Sequence, residues 1–321
     1  MNWLLLILLA LLLALAYLAV APPRINTLVS RPRPADSYAE ALERVAALHA
    51  QEAAGHNPLC ATQLLTHGDT TQHVIAFVHG YTNCPLQFAR LAEQFHQRGY
   101  NTLTMLMPHH GLADRLTDAH RQLTAEELVA YADEIVDIAR GLGQHVTLLG
   151  LSGGGMVAAW AAQTRSELDL AVIIAPNFGF KAVPRRLTRL AANLVRLAPD
   201  VVLWWNPFER EKGRLPHVYP RFTLHGLIQQ WRLGFAARRQ AEHQPPGARS
   251  ILVITNAHDL AVDNAAIARM VARWRAWGTS LVRTYEFPNE LHLLHDIVDP
   301  GHAGQRTDVV YPKLLELVAD K

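Results

Sequence analysis

Four short stretches of this chain carry side chains that could attack a carbonyl carbon: Gly150-Leu151-Ser152-Gly153-Gly154, His79-Gly80-Tyr81-Thr82-Asn83-Cys84-Pro85, His258-Asp259 and His292-Leu293-Leu294-His295. A serine hydroxyl is a weak nucleophile until a neighbouring base takes its proton. Imidazole suits that task because its pKa lies near neutrality, and a carboxylate behind it fixes the tautomer. Ser152 is the nucleophile candidate. It sits in G-x-S-x-G, after the apolar run His145–Leu149 and before the helix-compatible MVAAWAA. A tight strand-to-helix turn with small flanks lifts a serine hydroxyl above a sheet, and the following helix N-terminus favours developing negative charge. The same turn offers the Gly153 N–H as an oxyanion donor. The glycine-containing loop after the strand HVIAFV offers a second, the Tyr81 N–H.

The acid and the base each have two candidates. Asp259 ends the apolar run Ile251–Thr255 in a short polar turn, where a carboxylate would orient an imidazole. Asp263 directly precedes NAAIARMVARWRAW and suits a helix N-cap better. His292 and His295 both follow the strand-like SLVRTYEF, and position does not separate them. His79 reads as a loop-bonding residue, and Cys84 as packing or half of a bridge. His109 and His110 could line a pocket, but without a spaced carboxylate or cysteine they make no metal set. No metal or organic cofactor is implied.

These residues need a scaffold, and the hydropathy pattern supplies one. Seven short apolar runs, CATQLLTH, HVIAFVHG, NTLTMLMP, HVTLLGLS, LDLAVIIAP, SILVITNA and SLVRTYEFP, alternate with helical stretches. That alternation predicts an α/β domain with a mostly parallel, doubly covered sheet over residues 36–321, opening with a helix in ADSYAEALERVAALHAQEA after an Asp36/Ser37 start signal. Residues 178–245 break the alternation and predict a helical cap insertion with no clear strand. It holds Trp204, Trp205, Phe208, Tyr219, Phe222 and Trp231, and 12 Lys/Arg against 4 Asp/Glu, a local charge of +8 against −6 for the remainder. Such a cap could supply apolar substrate surface and touch anionic lipid headgroups through Arg185, Arg186 and Arg189.

Residues 1–21 contain the uncharged run Trp3–Ala21, long enough for an uncleaved transmembrane anchor. Residues 22–35, rich in proline and arginine, predict an extended tether. The absence of Lys/Arg before the anchor, with Arg24, Arg31 and Arg33 after it, favours a cytoplasmic domain under the positive-inside rule. Cys60 and Cys84 could form one bridge, which would argue for the opposite face. A net charge of +2, without a basic run interleaved with aromatics, sets nucleic acid aside as a partner. The expected partners are a small-molecule ester and the membrane.

From about residue 60 to 320 the chain resembles serine esterases and lipases of the α/β-hydrolase superfamily, particularly bacterial carboxylesterases and monoacylglycerol lipases. The order Ser152, Asp259, His295 matches theirs. HGYTNCP resembles their oxyanion loop, which implies Tyr81 as donor. NAHDLAV resembles their acid turn, with Asp259 followed by Val262, and HDIVDP favours His295 over His292. Asn256 stands where a glycine is common, and Gly153-Gly154-Gly155 is an unusual run. The resemblance implies ester hydrolysis through an acyl-enzyme. Acyl transfer and peptide cleavage use the same triad, and a membrane-tethered binding protein without turnover is the alternative outside catalysis.

Overall fold

The computed structural model describes residues 3–21, 24–52, 54–206, 215–302 and 304–319. Pro22 and Pro23 of the expected tether and Phe208 of the expected cap lie outside them. The elements run α1 (Trp3–Val20), α2 (Tyr38–Glu52), β1 (Gln63–Leu65), β2 (Thr71–Val78), α3 (Ala89–His96), β3 (Asn101–Thr104), α4 (Ala125–Leu142), β4 (Gly143–Leu151), α5 (Gly153–Thr164) and β5 (Leu170–Ile174). They continue with α6 (Thr188–Leu197), β6 (Val202–Trp204), β7 (Arg221–Thr223), α7 (Leu224–Gln240), β8 (Ser250–Asn256), α8 (Asn264–Trp277), β9 (Leu281–Phe287) and α9 (Thr307–Ala319).

Seven strands form one sheet in the order β1-β3-β2-β4-β5-β8-β9. β1 pairs antiparallel with β3, and every other pairing is parallel. All five residues of β5 and the last five of β2 are buried, so these strands are sealed on both faces. That is why they read as unbroken apolar runs, without the alternation of a half-exposed strand. Loops leaving the C-terminal ends of β2, β4, β8 and β9 carry the four motifs, so the parallel arrangement brings all of them to one edge of the sheet.

The insertion between β5 and β8 holds α6, α7 and an antiparallel hairpin of β6 and β7. The hairpin departs from the expectation of no strand; three residues per strand are too few to display a period in sequence. α7 packs on α5, the helix that starts at the Ser152 turn.

The described residues after α1 turn once at Ile25–Leu28 and then run, without helix or strand, docked along the domain to α2. The Arg31 N–H donates to Asp133 and the Arg33 N–H to Asp137, at 2.6 and 2.7 Å, and Ser30 Oγ donates to Asp133 at 2.5 Å. Those two carboxylates on α4 also hold Arg165, whose side chain is fully buried against Asp133, Asp137 and Glu167. Paired in this way, the charges avoid the several kcal/mol that an uncompensated buried ion costs, by order of magnitude about 3–5 kcal/mol.

α1 projects from this body. Trp3–Tyr17 are exposed, and α1 meets α6, whose Asn193 and Arg189 reach the Leu18, Val20 and Ala21 carbonyls at its C-terminal end. It is long and apolar enough to cross a membrane. Cys60 and Cys84 are disulfide-bonded with Cα atoms 5.2 Å apart, both buried, tying the entry to β1 to the loop after β2.

Candidate active site

β4 ends at Leu151, and the chain turns sharply into α5 with Ser152 at φ +56°, a region that costs a non-glycine residue of the order of 1–3 kcal/mol. The turn closes only because its flanks lack side chains. A Cβ on Gly154 would lie 2.0 Å from the Val78 carbonyl oxygen, and one on Gly150 would lie 2.1 Å from that of Gly154. The glycine run that looked unusual in sequence is therefore what lets α5 start against the end of β2.

Ser152 Oγ donates to His295 Nε2 at 2.8 Å, and His295 Nδ1 donates to Asp259 Oδ2 at 2.7 Å. Asp259 is fully buried. Burial pushes its pKa up, but the His295 hydrogen bond and charge, with the Ala261 and Val262 N–H groups on Oδ1, hold it below the ordinary carboxylate value. It is thus ionised at neutral pH and holds the imidazole with Nε2 as acceptor. Asp263 caps α8 through the Ala265 N–H and pairs with Arg185 at 3.2 Å. His292 is exposed and stacks edge-on against His258.

The N–H groups of Gly153 and Tyr81 donate to no acceptor among the described residues. The Tyr81 loop is fastened from beneath. His79 accepts the Met107 N–H at Nε2, which leaves Nδ1 protonated to donate to the Gly80 carbonyl, each at 3.0 Å. Gln87 joins this loop to the histidine loop: its Oε1 accepts the Gly80 N–H and its Nε2 donates to Asp296, next to His295, both at 2.7 Å. Asn256, which departs from the family pattern, donates to the Leu293 and Leu294 carbonyls and so steadies the same loop.

Gln87 and Gln230 had no signal in sequence, since neither belongs to a motif. Gln230, on α7, lies over Gly153: a Cβ there would come within 2.8 Å of its Oε1. Gln230 accepts from Asn177 Nδ2 at 2.7 Å, while its own buried Nε2 has no partner among the described residues.

With this geometry in place, the comparisons decide the family. The model for the family described as serine aminopeptidase, S33, matches residues 69–292. The chain belongs to this family. Its fold is the α/β-hydrolase fold, as solved structures also show at low identity. One comes from work on LipS and LipT, two metagenome-derived lipolytic enzymes (16% identity, TM-score 0.59, 82% of this chain and 99% of that one). Others are a Paleococcus ferrophilus monoacylglycerol lipase (17%, 0.58, 80% and 97%) and a soluble variant of Saccharomyces cerevisiae monoglyceride lipase (13%, 0.55, 80% and 90%). No curated protein sequence matches the chain.

Asp296, Asp299 and His302 bring ligand atoms within 4.8 Å of one another. Their carboxylates are already engaged by Gln87, His217 and the backbone N–H groups of Val298, Asp299 and Gly301, so this S33 chain uses them as loop fasteners.

Below Tyr81 lie three buried histidines. Burial pushes His110 down to about 3 and His120 to about 4, and burial with the neighbouring His110 pushes His79 well below its ordinary value. All three are neutral in the fold, whereas the unfolded chain takes up protons below the ordinary histidine value of 6.5. Their contribution is therefore complete above pH 6.5 and is lost as the pH falls toward 4 and 3. Stability should drop by about 1.4 kcal/mol per pH unit for each histidine over that window. Urea midpoints measured from pH 7 to 5 check this, and His110→Phe should flatten the slope. A midpoint that does not move across the window would refute it.

Proposed function

We propose that the chain is a membrane-anchored serine hydrolase that cleaves carboxylic esters of apolar or lipid-like acids through an acyl-enzyme on Ser152. The observation that carries this reading is the continuous hydrogen-bonded line Ser152–His295–Asp259, with the Gly153 and Tyr81 N–H groups left without an acceptor among the described residues. As Ser152 Oγ attacks the ester carbonyl, His295 Nε2 takes its proton and then returns it to the departing alcohol. The oxyanion accepts from the N–H groups of Tyr81 and Gly153. Water, deprotonated by the same imidazole, then releases the acid. No metal or organic cofactor enters these steps.

The apolar acyl preference is supported by α1 and by the cap, which exposes Leu187, Leu194, Leu197, Leu203 and Trp205. On a series of p-nitrophenyl esters, kcat/KM should rise from acetyl to decanoyl, since each methylene buried at the transition state is worth about 0.8 kcal/mol. Equal rates on acetyl and decanoyl esters would contradict the preference. Peptide amide cleavage is the second reading, favoured by the family match. Aminoacyl anilides assayed beside the esters separate the two.

Gln230, whose side-chain amide lies over Gly153 and whose Nε2 has no partner among the described residues, supports a reading as a third donor to the reacting substrate. Gln230→Ala should lower kcat roughly 10²-fold. Steady-state kinetics within twofold of wild type would remove it from the site. The Cys60–Cys84 bridge supports placing the domain on an oxidising side of the membrane, against the arginine distribution around the anchor.

A further inference from the structure

We propose that a basic cavity between α1 and the cap binds the phosphate of an anionic phospholipid headgroup, held by Arg186, Arg189, Arg238 and Arg269. This site lies outside the ester chemistry and rests only on α1 being in a membrane.

The cavity, about 180 Å³, draws its walls from four elements: Ala19 of α1, Arg189 of α6, Arg238 of α7 and Arg269 of α8, with Arg185 and Arg186 just before α6. At about 30 Å³ per liquid water, this is room for a polyatomic anion. A wider groove lined by Pro184, Arg185, Arg186, Leu187 and Arg269 adjoins it through three shared arginines.

The cations here outnumber the anions. Arg185 has Asp263 at 3.2 Å, and Glu242 is taken by Arg273 at 2.8 Å. Arg186, Arg189, Arg238 and Arg269 make no carboxylate pair among the described residues. Arg238 lies 5.8 Å from the rings of both Phe178 and Phe235, and its one polar contact among the described residues is a 3.5 Å approach to the Phe178 carbonyl. Burial, then Arg273 and Arg269, pull its pKa down to about 10. Gathering guanidiniums around one space is unfavourable unless an anion completes the set, and their planar forks match phosphate oxygens.

Location selects the source of that phosphate. Asn193 donates to the Leu18 and Ala21 carbonyls at 2.7 and 3.2 Å, and Arg189 to that of Val20 at 3.2 Å. The carbonyls that a helix end leaves open are thereby latched to the cap. A bilayer that takes up Trp3–Val20 must have its headgroup layer where this latch and the cavity lie. Exposed Leu187, which lines the adjoining groove, and exposed Leu194 and Leu197 of α6 are apolar surface for the acyl region.

The test uses the full-length chain in a neutral maltoside detergent, followed by native mass spectrometry and thermal unfolding, with phosphatidylglycerol, phosphatidylcholine or millimolar inorganic phosphate added. Phosphatidylglycerol should be retained in preference to phosphatidylcholine and should raise the unfolding temperature. Arg238→Gln/Arg269→Gln should lower that retention roughly tenfold or more. Arg249→Gln, a substitution of an arginine remote from the cavity, should retain the lipid as wild type does. The unfolding temperature without lipid reports whether each variant is folded, and Arg238→Lys/Arg269→Lys, which keeps the charge but loses the fork, should retain an intermediate amount. Equal retention of both lipids, wild-type retention by the folded glutamine variant, or an equal temperature rise from inorganic phosphate alone would overturn the assignment. Ser152→Ala should retain phosphatidylglycerol fully, so failure of the hydrolase reading leaves this test intact.

Discussion

Ser152→Ala is expected to lower kcat on an apolar p-nitrophenyl ester by about 10⁴- to 10⁶-fold with little change in KM. The hydroxyl is the one group whose bond to the acyl carbon splits the reaction into two easier steps, and its loss leaves only the oxyanion donors and substrate binding. Alanine tolerates the φ +56° turn no worse than serine, and among the described residues only His295 bonds Oγ. The variant should therefore fold normally, which circular dichroism checks. A residual rate within tenfold of wild type would mean that another nucleophile carries the reaction.

His295→Ala and Asp259→Asn should each cost about 10⁴-fold in kcat, and combining either with Ser152→Ala should add almost nothing, because the three act as one unit. The asparagine change acts through the tautomer. Asp259 Oδ2 accepts the proton on His295 Nδ1, and an amide NH₂ in its place would leave Nε2 protonated and unable to accept from Ser152. His292→Ala and Asp263→Ala are the matched controls. His292 is exposed and packs against His258, and Asp263 caps α8. Both should keep kcat within a few-fold, although Asp263→Ala should cost about 1 kcal/mol of stability through the lost cap. Kinetics on purified proteins check both sets. Equal losses at His292 and His295 would contradict the assignment.

The main sheet was legible in sequence because parallel strands buried on both faces must be apolar along their whole length, as Val74–Val78 and Leu170–Ile174 are. The cap hairpin was not, since Val202–Trp204 and Arg221–Thr223 are too short to carry a period. The Ser152 turn announces itself because the close approach of Gly150 and Gly154 to neighbouring carbonyls forces a residue pattern. Position after the last strand does not separate His295 from His292, and only the resemblance of HDIVDP favours His295; the physical difference arises once the loop folds and one ring reaches Asp259. Gln87, Gln230, Arg165 and Asn193 left no trace, because a polar residue that works through partners far along the chain imposes no local period and no spacing. The docked state of residues 24–35 was hidden for the same reason: its partners are Asp133 and Asp137, a hundred residues away.

A covalent intermediate at Ser152 is open to active-site labelling with a fluorophosphonate, read by intact mass and peptide mapping. One adduct per chain on Ser152 is expected in the wild type. It should be absent from Ser152→Ala, strongly slowed in His295→Ala and Asp259→Asn, and unaffected in His292→Ala. A folded wild-type chain that takes up no label, or a Ser152→Ala chain that takes it up at the wild-type rate, would contradict the account.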